Sequence, residues 1–273
     1  MIELLQYPFV VRALIMVLLL SVVAGFVGTC IVVRRQVFVA GGITHAAFGG
    51  IGIAYYMGLS VTAGAMFFAS ITALAIDILS RRKSLRTDSA VAIFWSLGMA
   101  LGIIFMFLTP GYTPNLMGFM FGDLLTVTTT DIYVVASIAA VAVITSVIFY
   151  RPILYTAFAP DFAKLSGWPV SFISSAIAVV SALAIVVAIK AVGIILVLSV
   201  FTIPPTVAAL FVVQLNRMFA VSTLIAIVGS LIGFTISFVY NMPSGAMITV
   251  VLVVIFIITK AIKYLSNRQK CKV

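Results

Sequence analysis

FVVRALIMVLLLSVVAGFVGTCIVV, Phe9 to Val33, is an apolar run in which Arg12 is the only charge. About 20 apolar residues, each rising about 1.5 Å, cross the roughly 30 Å hydrocarbon core of a bilayer, so this run can span one. It is longer than the apolar part of a cleaved signal and has no basic leader, so it reads as a first membrane span. Arg34, Arg35 and Gln36 follow at once, and then a second apolar run opens, VFVAGGITHAAFGGIGI, Val37 to Ile53.

The same alternation continues along the chain. After Phe9 to Val33 and Val37 to Met57 come Leu59 to Leu79, Ser89 to Leu108, Ile132 to Tyr150, Phe172 to Ile189, Val192 to Val213, Phe219 to Tyr240 and Ala246 to Ile262, nine candidates in all. Eight spans result if one of them only dips into the bilayer. With 64% hydrophobic and 8% charged residues, an ordinary soluble domain is excluded. The expected fold is all-α, a single polytopic transmembrane domain over residues 1–273 with eight or nine helices.

Sixteen basic against six acidic residues give a formal charge of +10, which suits either nucleic acid or a membrane surface. Position decides between them. Arg34, Arg35, Arg81, Arg82, Lys83, Arg86, Arg151, Lys164, Arg217, Lys260, Lys263, Arg268, Lys270 and Lys272 lie in short polar gaps or in the tail. Cytoplasmic loops retain Lys and Arg in this way, so the basic gaps are placed inside and the N-terminus outside. No basic groove interleaved with aromatic residues offers itself to nucleic acid. Arg12 and Lys190 fall toward the outer side, where long stems anchor at the interface. Cys30, inside the first run, and Cys271, in the tail, are not placed to form a disulfide.

Two segments between spans are long. Outside lies Thr109 to Asp131, rich in turn residues yet carrying the apolar patch Leu116 to Phe121. Inside lies Arg151 to Ser171, where Pro160 can open a short helix, Asp161 favours its first turn and Gly167 can end it. Phe162, Ala163 and Leu165 give that helix an apolar side, to be covered either by a partner or by lipid headgroups.

The chain carries little chemistry of its own. Its acids, Glu3, Asp77, Asp88, Asp123, Asp131 and Asp161, fall at or beyond span ends, and no Ser, His, Asp constellation forms around the single histidine. No Lys follows a Gly, so there is no phosphate-cradling loop of the Walker type, and any ATP must be handled by another polypeptide. A catalytic role is not expected.

His45, the only histidine, falls eight residues into the second run, about 12 Å deep and near the middle of the membrane. Gly41 lies one turn before it and Gly49 one turn after, so its face is stripped of side chains. Two readings are open. The imidazole bonds across a glycine-lined helix contact, or it serves a passing ligand. One histidine is too little for a metal cage, but a two-fold dimer supplies two. The seventh run contains TIPPT, Thr202 to Thr206, in which Pro204 and Pro205 remove two backbone donors; this is either a kink between packed helices or a break facing a path.

GGITHAAFGG in the second run, DSAVAIFWSLGMALG from Asp88, FGDLLTV from Phe121, APDFAKLSGWPV in the inner segment and VGIILVLSVFTIPPTVAAL from Val192 occur in an order that resembles the permease subunits of ABC-type metal importers, the ABC-3 family. The resemblance covers nearly the whole chain. It implies a homodimeric permease in the bacterial cytoplasmic membrane, two cytosolic ATPases and an extracytoplasmic solute-binding protein. The cargo it implies is zinc, manganese or iron, with no permanently bound cofactor. It further implies that His45 is a metal ligand on the transport pathway, where Thr44, Gly41, Gly49, Pro204 and Pro205 are also expected. The family's aspartate one turn before the histidine is here Gly41, so Thr44 hydroxyls, carbonyls or water must complete any site. Asp161, Phe162, Ala163, Leu165 and Gly167 match the coupling region that meets the ATPase. Rival readings are a permease for a larger metal chelate, and an intramembrane enzyme or secondary carrier; the latter usually bury several acids.

Overall fold

The computed structural model describes residues 6–82, 85–110, 122 and 124–270. The expected apolar patch Leu116 to Phe121, together with Glu3, Lys83, Asp123 and Cys271, lies outside them. Among the described residues the regular structure is all helical. The long helices are α1 (Pro8–Val33), α2 (Val37–Tyr56), α3 (Val61–Arg81), α4 (Thr87–Leu108) and α5 (Thr129–Ile148). Two short helices follow, α6 (Tyr150–Phe158) and α7 (Pro160–Leu165). Then come α8 (Val170–Ile194), α9 (Leu196–Phe211), α10 (Leu215–Tyr240) and α11 (Ser244–Lys270). Eight of these are long and apolar enough to cross a bilayer, and the chain is a multi-pass membrane protein.

The ninth expected span is the one that differs. Leu196–Phe211 is shorter than a full crossing and continues from α8 through a sharp break at Gly193, whose φ of 78° only glycine adopts without strain. Beyond the break the chain doubles back. Leu196 and Val200 pack beside Val17 and Leu20 in the middle of α1, and Pro205 lies against Gly28 nearer its end. α9 therefore runs parallel to α1 toward the end of the bundle that carries Arg34 and Arg81, here called the basic end. Gly122, at φ 63°, closes over the break from the other side: a Cβ there would stand 2.2 Å from the Gly193 nitrogen.

With no water in the bilayer to drive apolar surfaces together, close packing of small residues holds the helices. α2 and α4 meet along such a seam. A Cβ on Gly49 would fall 2.9 Å from the Gly98 carbonyl oxygen, and one on Gly52 would fall 2.5 Å from that of Gly102. Carbonyl and Cα–H groups approach there as they cannot across larger side chains. Between Pro8 and Val33 the first helix widens into a π-turn over Ala24–Gly28, which brings Gly28 against the Phe201 carbonyl. That carbonyl lies four residues before Pro205 and so lacks its helical donor.

Two expectations about charge are corrected. Lys190 is not simply an interfacial anchor: its ammonium binds Asp131 Oδ1 at 2.5 Å, tying the end of α8 to the start of α5. Asp131 also closes a capping box with Thr128, so one carboxylate satisfies a helix start and a lysine together. Asp77, expected at or beyond a span end, lies within the helix. It sits one turn inside α3 and is 7% exposed.

Candidate functional site

α2 starts at Val37, where the sequence places it, and is the most enclosed of the long helices. From Ala40 to Gly52 every residue is buried except His45, which is half-buried. The imidazole is thus the single point at which the middle of this helix reaches the surface of the chain. It does not stand in open space. The Trp95 indole of α4 lies flat against it, with ring centroids 4.1 Å apart and planes 6° from parallel. Among the described residues neither ring nitrogen has a hydrogen-bond partner. Trp95 is itself only half-buried, and the Phe38 ring of α2 approaches it from the other side, with centroids 6.5 Å apart.

The glycines beside His45 do not leave the ring free, as their spacing led us to expect. The space on Gly49 is filled by Gly98 and Phe68, that on Gly41 by Leu198 of α9, and the ring itself is covered by Trp95. Gly41 retains room for a methyl group, its nearest neighbour being 3.6 Å from an added Cβ. Thr44 is fully buried and its hydroxyl donates to the Ala40 carbonyl at 2.8 Å, a bond within its own helix. Pro204 and Pro205 are buried where α9 packs on α1. The structure therefore gathers Gly41, Thr44, His45 and Gly49 on α2 and sets the prolines on a neighbouring helix. Trp95 is the partner that sequence reasoning passed over, although DSAVAIFWSLG was already in view; a tryptophan in mid-span was the available signal.

No group of three or more His, Cys, Asp or Glu side chains comes together among the described residues in a way that could hold a metal ion. A single chain offers one imidazole at mid-depth and, among the described residues, no cluster of such ligands beside it. An unsatisfied polar group in an apolar medium costs about 1–3 kcal/mol. The face carrying His45 and Trp95 is thus poorly suited to acyl chains and well suited to a second protein surface or a watered path.

At the basic end, α6 and α7 form the second group of interest. Pro160 occupies the first turn of α7, Asp161 follows it, and Lys164 lies in the last turn, an order that matches the helix dipole. Gly167, at φ 79°, closes the helix. The Trp168 N–H donates to the Ala163 carbonyl and the Gly167 N–H to the Lys164 carbonyl, both at 3.0 Å, the paired bonds of a Schellman turn. Ala163 is fully buried, so it seats the helix and is not part of its exposed side as expected. Phe162 and Leu165 supply that side, at 54% and 89% exposed, and Phe158 at the end of α6 is 65% exposed. Asp161 is exposed, and its pair with Lys164 at 3.6 Å is solvated on both partners.

Comparison with known proteins agrees with this architecture. The ABC 3 transport family matches residues 6–263. An uncharacterized membrane protein of Synechocystis sp. is 33% identical over 96% of this chain and 94% of its own. The manganese transport system membrane protein MntC of Halalkalibacterium halodurans is 32% identical, covering 93% of this chain and 87% of its own. Among solved structures, PsaBC from Streptococcus pneumoniae in complex with Fab superposes with a TM-score of 0.84 at 29% identity, over 94% of this chain and 92% of that one.

Proposed function

The chain belongs to the ABC 3 transport family, and from that premise we propose that it is the membrane-spanning permease subunit of an ATP-driven importer of divalent manganese. Relatives named for manganese transport support the choice of metal over zinc and iron. The observation that carries the reading is the enclosed α2 helix, buried along its middle except at His45.

Two copies meet across the α2 and α4 faces. Each contributes one imidazole to a shared conduit, and the rest of the ion's shell is water and carbonyl oxygen. A site of so few protein ligands releases what it captures, as transport requires. α7 presents Phe162 and Leu165 to a separate ATPase, with Asp161 at its first turn and Gly167 fixing its exit. A solute-binding protein delivers the ion at the opposite end. ATP-driven closure of the ATPases draws the two α7 helices together and rocks the bundles between states open to either side. Pro204 and Pro205 pack α9 against α1 within the moving body.

The test is reconstitution into vesicles with the ATPase and binding protein, and uptake of manganese, zinc and iron(II) measured side by side. ATP-dependent uptake led by manganese is the expected result. Uptake of a metal chelate but not of the free ions, or uptake without any ATPase, contradicts the reading.

A further inference from the structure

The ends of three helices converge on one carboxylate. Asp77 of α3 is the only acid buried among the described residues. Its Oδ1 accepts from Ser174 Oγ at 2.7 Å, and its Oδ2 accepts from Ser175 Oγ at 2.9 Å and pairs with Arg81 Nη2 at 2.8 Å. Arg81 Nη2 also donates to Ser175 Oγ at 2.8 Å, and Arg34 Nη2 donates to Ser174 Oγ at 2.5 Å. Each serine hydroxyl therefore donates to the carboxylate while accepting from an arginine, which uses its single proton and one lone pair. The result is a closed relay joining α1, α3 and α8.

What the relay touches on either side gives it meaning. Ser174 and Ser175 lie at the start of α8, which begins at Val170 directly after α7 and its Schellman turn. Ala163 is buried and that turn is hydrogen-bonded, so α7 is joined to the start of α8 through a bonded turn. On the other side, Arg34 opens the turn into α2. Arg35 there holds a left-handed φ of 56°, and the Gln36 N–H donates to the Ile31 carbonyl at 2.8 Å, so Arg34 is joined to α2 through a hydrogen-bonded turn. His45 stands on that helix.

A buried ion pair is a weak device for mere cohesion, because apolar packing holds helix ends at least as firmly. Its bonds are directional, however, and they fix which residues move together. We propose that Asp77 is a positioning residue through which displacement of α7 reaches the helix carrying His45, by way of Ser174 and Ser175 on one side and Arg34 on the other. This inference rests on the proposed function, in which α7 docks the ATPase.

The double variant Ser174→Ala, Ser175→Ala removes the ties to α8 and leaves the Asp77–Arg81 pair in place. In vesicles with the ATPase and binding protein, the readout is manganese taken up per ATP hydrolysed, normalised to assembled complex. The expected result is ATP hydrolysis close to wild type with at least about a threefold loss of uptake per ATP, the size of effect that residues on a coupling route produce. Asp77→Asn shifts the ratio in the same direction, and Ser174→Thr with Ser175→Thr, which returns the hydroxyls, restores it. A purely structural role lowers the yield of complex and leaves the ratio unchanged, and that outcome overturns the inference. Wild-type protein without ATP-driven uptake overturns the functional reading as well, whereas wild-type uptake with an unchanged ratio in the double alanine variant removes this inference alone.

Discussion

The His45 imidazole and the Trp95 indole are stacked, 4.1 Å between centroids and 6° from parallel, at the one place where the middle of α2 reaches the protein surface. Trp95 and Trp168 are the only tryptophans in the chain. In a Trp168→Phe background, Trp95 emission thus reports on the neighbourhood of His45 alone. Manganese(II), being paramagnetic, is expected to quench that emission while magnesium does not, and His45→Ala is expected to abolish the difference. Equal quenching by both ions places the metal elsewhere.

The α2–α4 seam tolerates no side chain at Gly49. Gly49→Leu forces the helices apart at the Gly98 carbonyl and is expected to cost about 1–3 kcal/mol, as overpacking does. Gly41→Ala meets nothing closer than 3.6 Å and is expected to be near neutral. Thermal unfolding of the two variants in detergent, compared with wild type, checks the contrast.

At α7 the prediction separates seating from presentation. Leu165→Glu alters a side chain that is 89% exposed and is expected to leave the fold intact while weakening ATPase binding about tenfold or more, since a buried leucine contributes about 1.5–3 kcal/mol. Ala163→Leu, at a fully buried position, is expected to lower stability of the permease itself. Titration of the ATPase against purified permease measures the first, and unfolding measures the second.

The two exposed-end ion pairs are expected to differ. Lys190 and Asp131 side chains are 49% and 15% exposed and 2.5 Å apart, so Lys190→Ala should cost about 1 kcal/mol or less, shrinking as salt is raised. Lys164 and Asp161 are 66% and 92% exposed, and Lys164→Ala should leave stability unchanged. Unfolding midpoints at low and high salt test both.

The spans were legible because a membrane helix needs only length and apolarity, and the basic gaps fixed their order. α7 was legible for a local reason as well, since Pro160, Asp161 and Gly167 are start and stop signals whose meaning lies within one turn. The Gly193 break was not. Glycine inside an apolar run is common, and only the docking of Gly122 and the return of α9 along α1 show what it does. The burial of Asp77 was not legible because Arg81 and Arg82 beside it mark a span end, whereas the serines that join Arg81 in enclosing it lie nearly a hundred residues away. The stacking of Trp95 on His45 joins two helices and left no trace in local spacing. Gly41 and Gly49 were seen as space, and the fold spends most of that space on neighbouring helices.

The most direct measurement is manganese uptake at limiting metal by vesicles holding the permease, its ATPase and its binding protein, comparing wild type with His45→Ala. ATP-dependent uptake is expected to fall about tenfold in the variant, the loss of roughly 1.4 kcal/mol of stabilisation of the passing ion. Equal uptake by both proteins would contradict this expectation, because the one imidazole that α2 exposes would then play no part in passage.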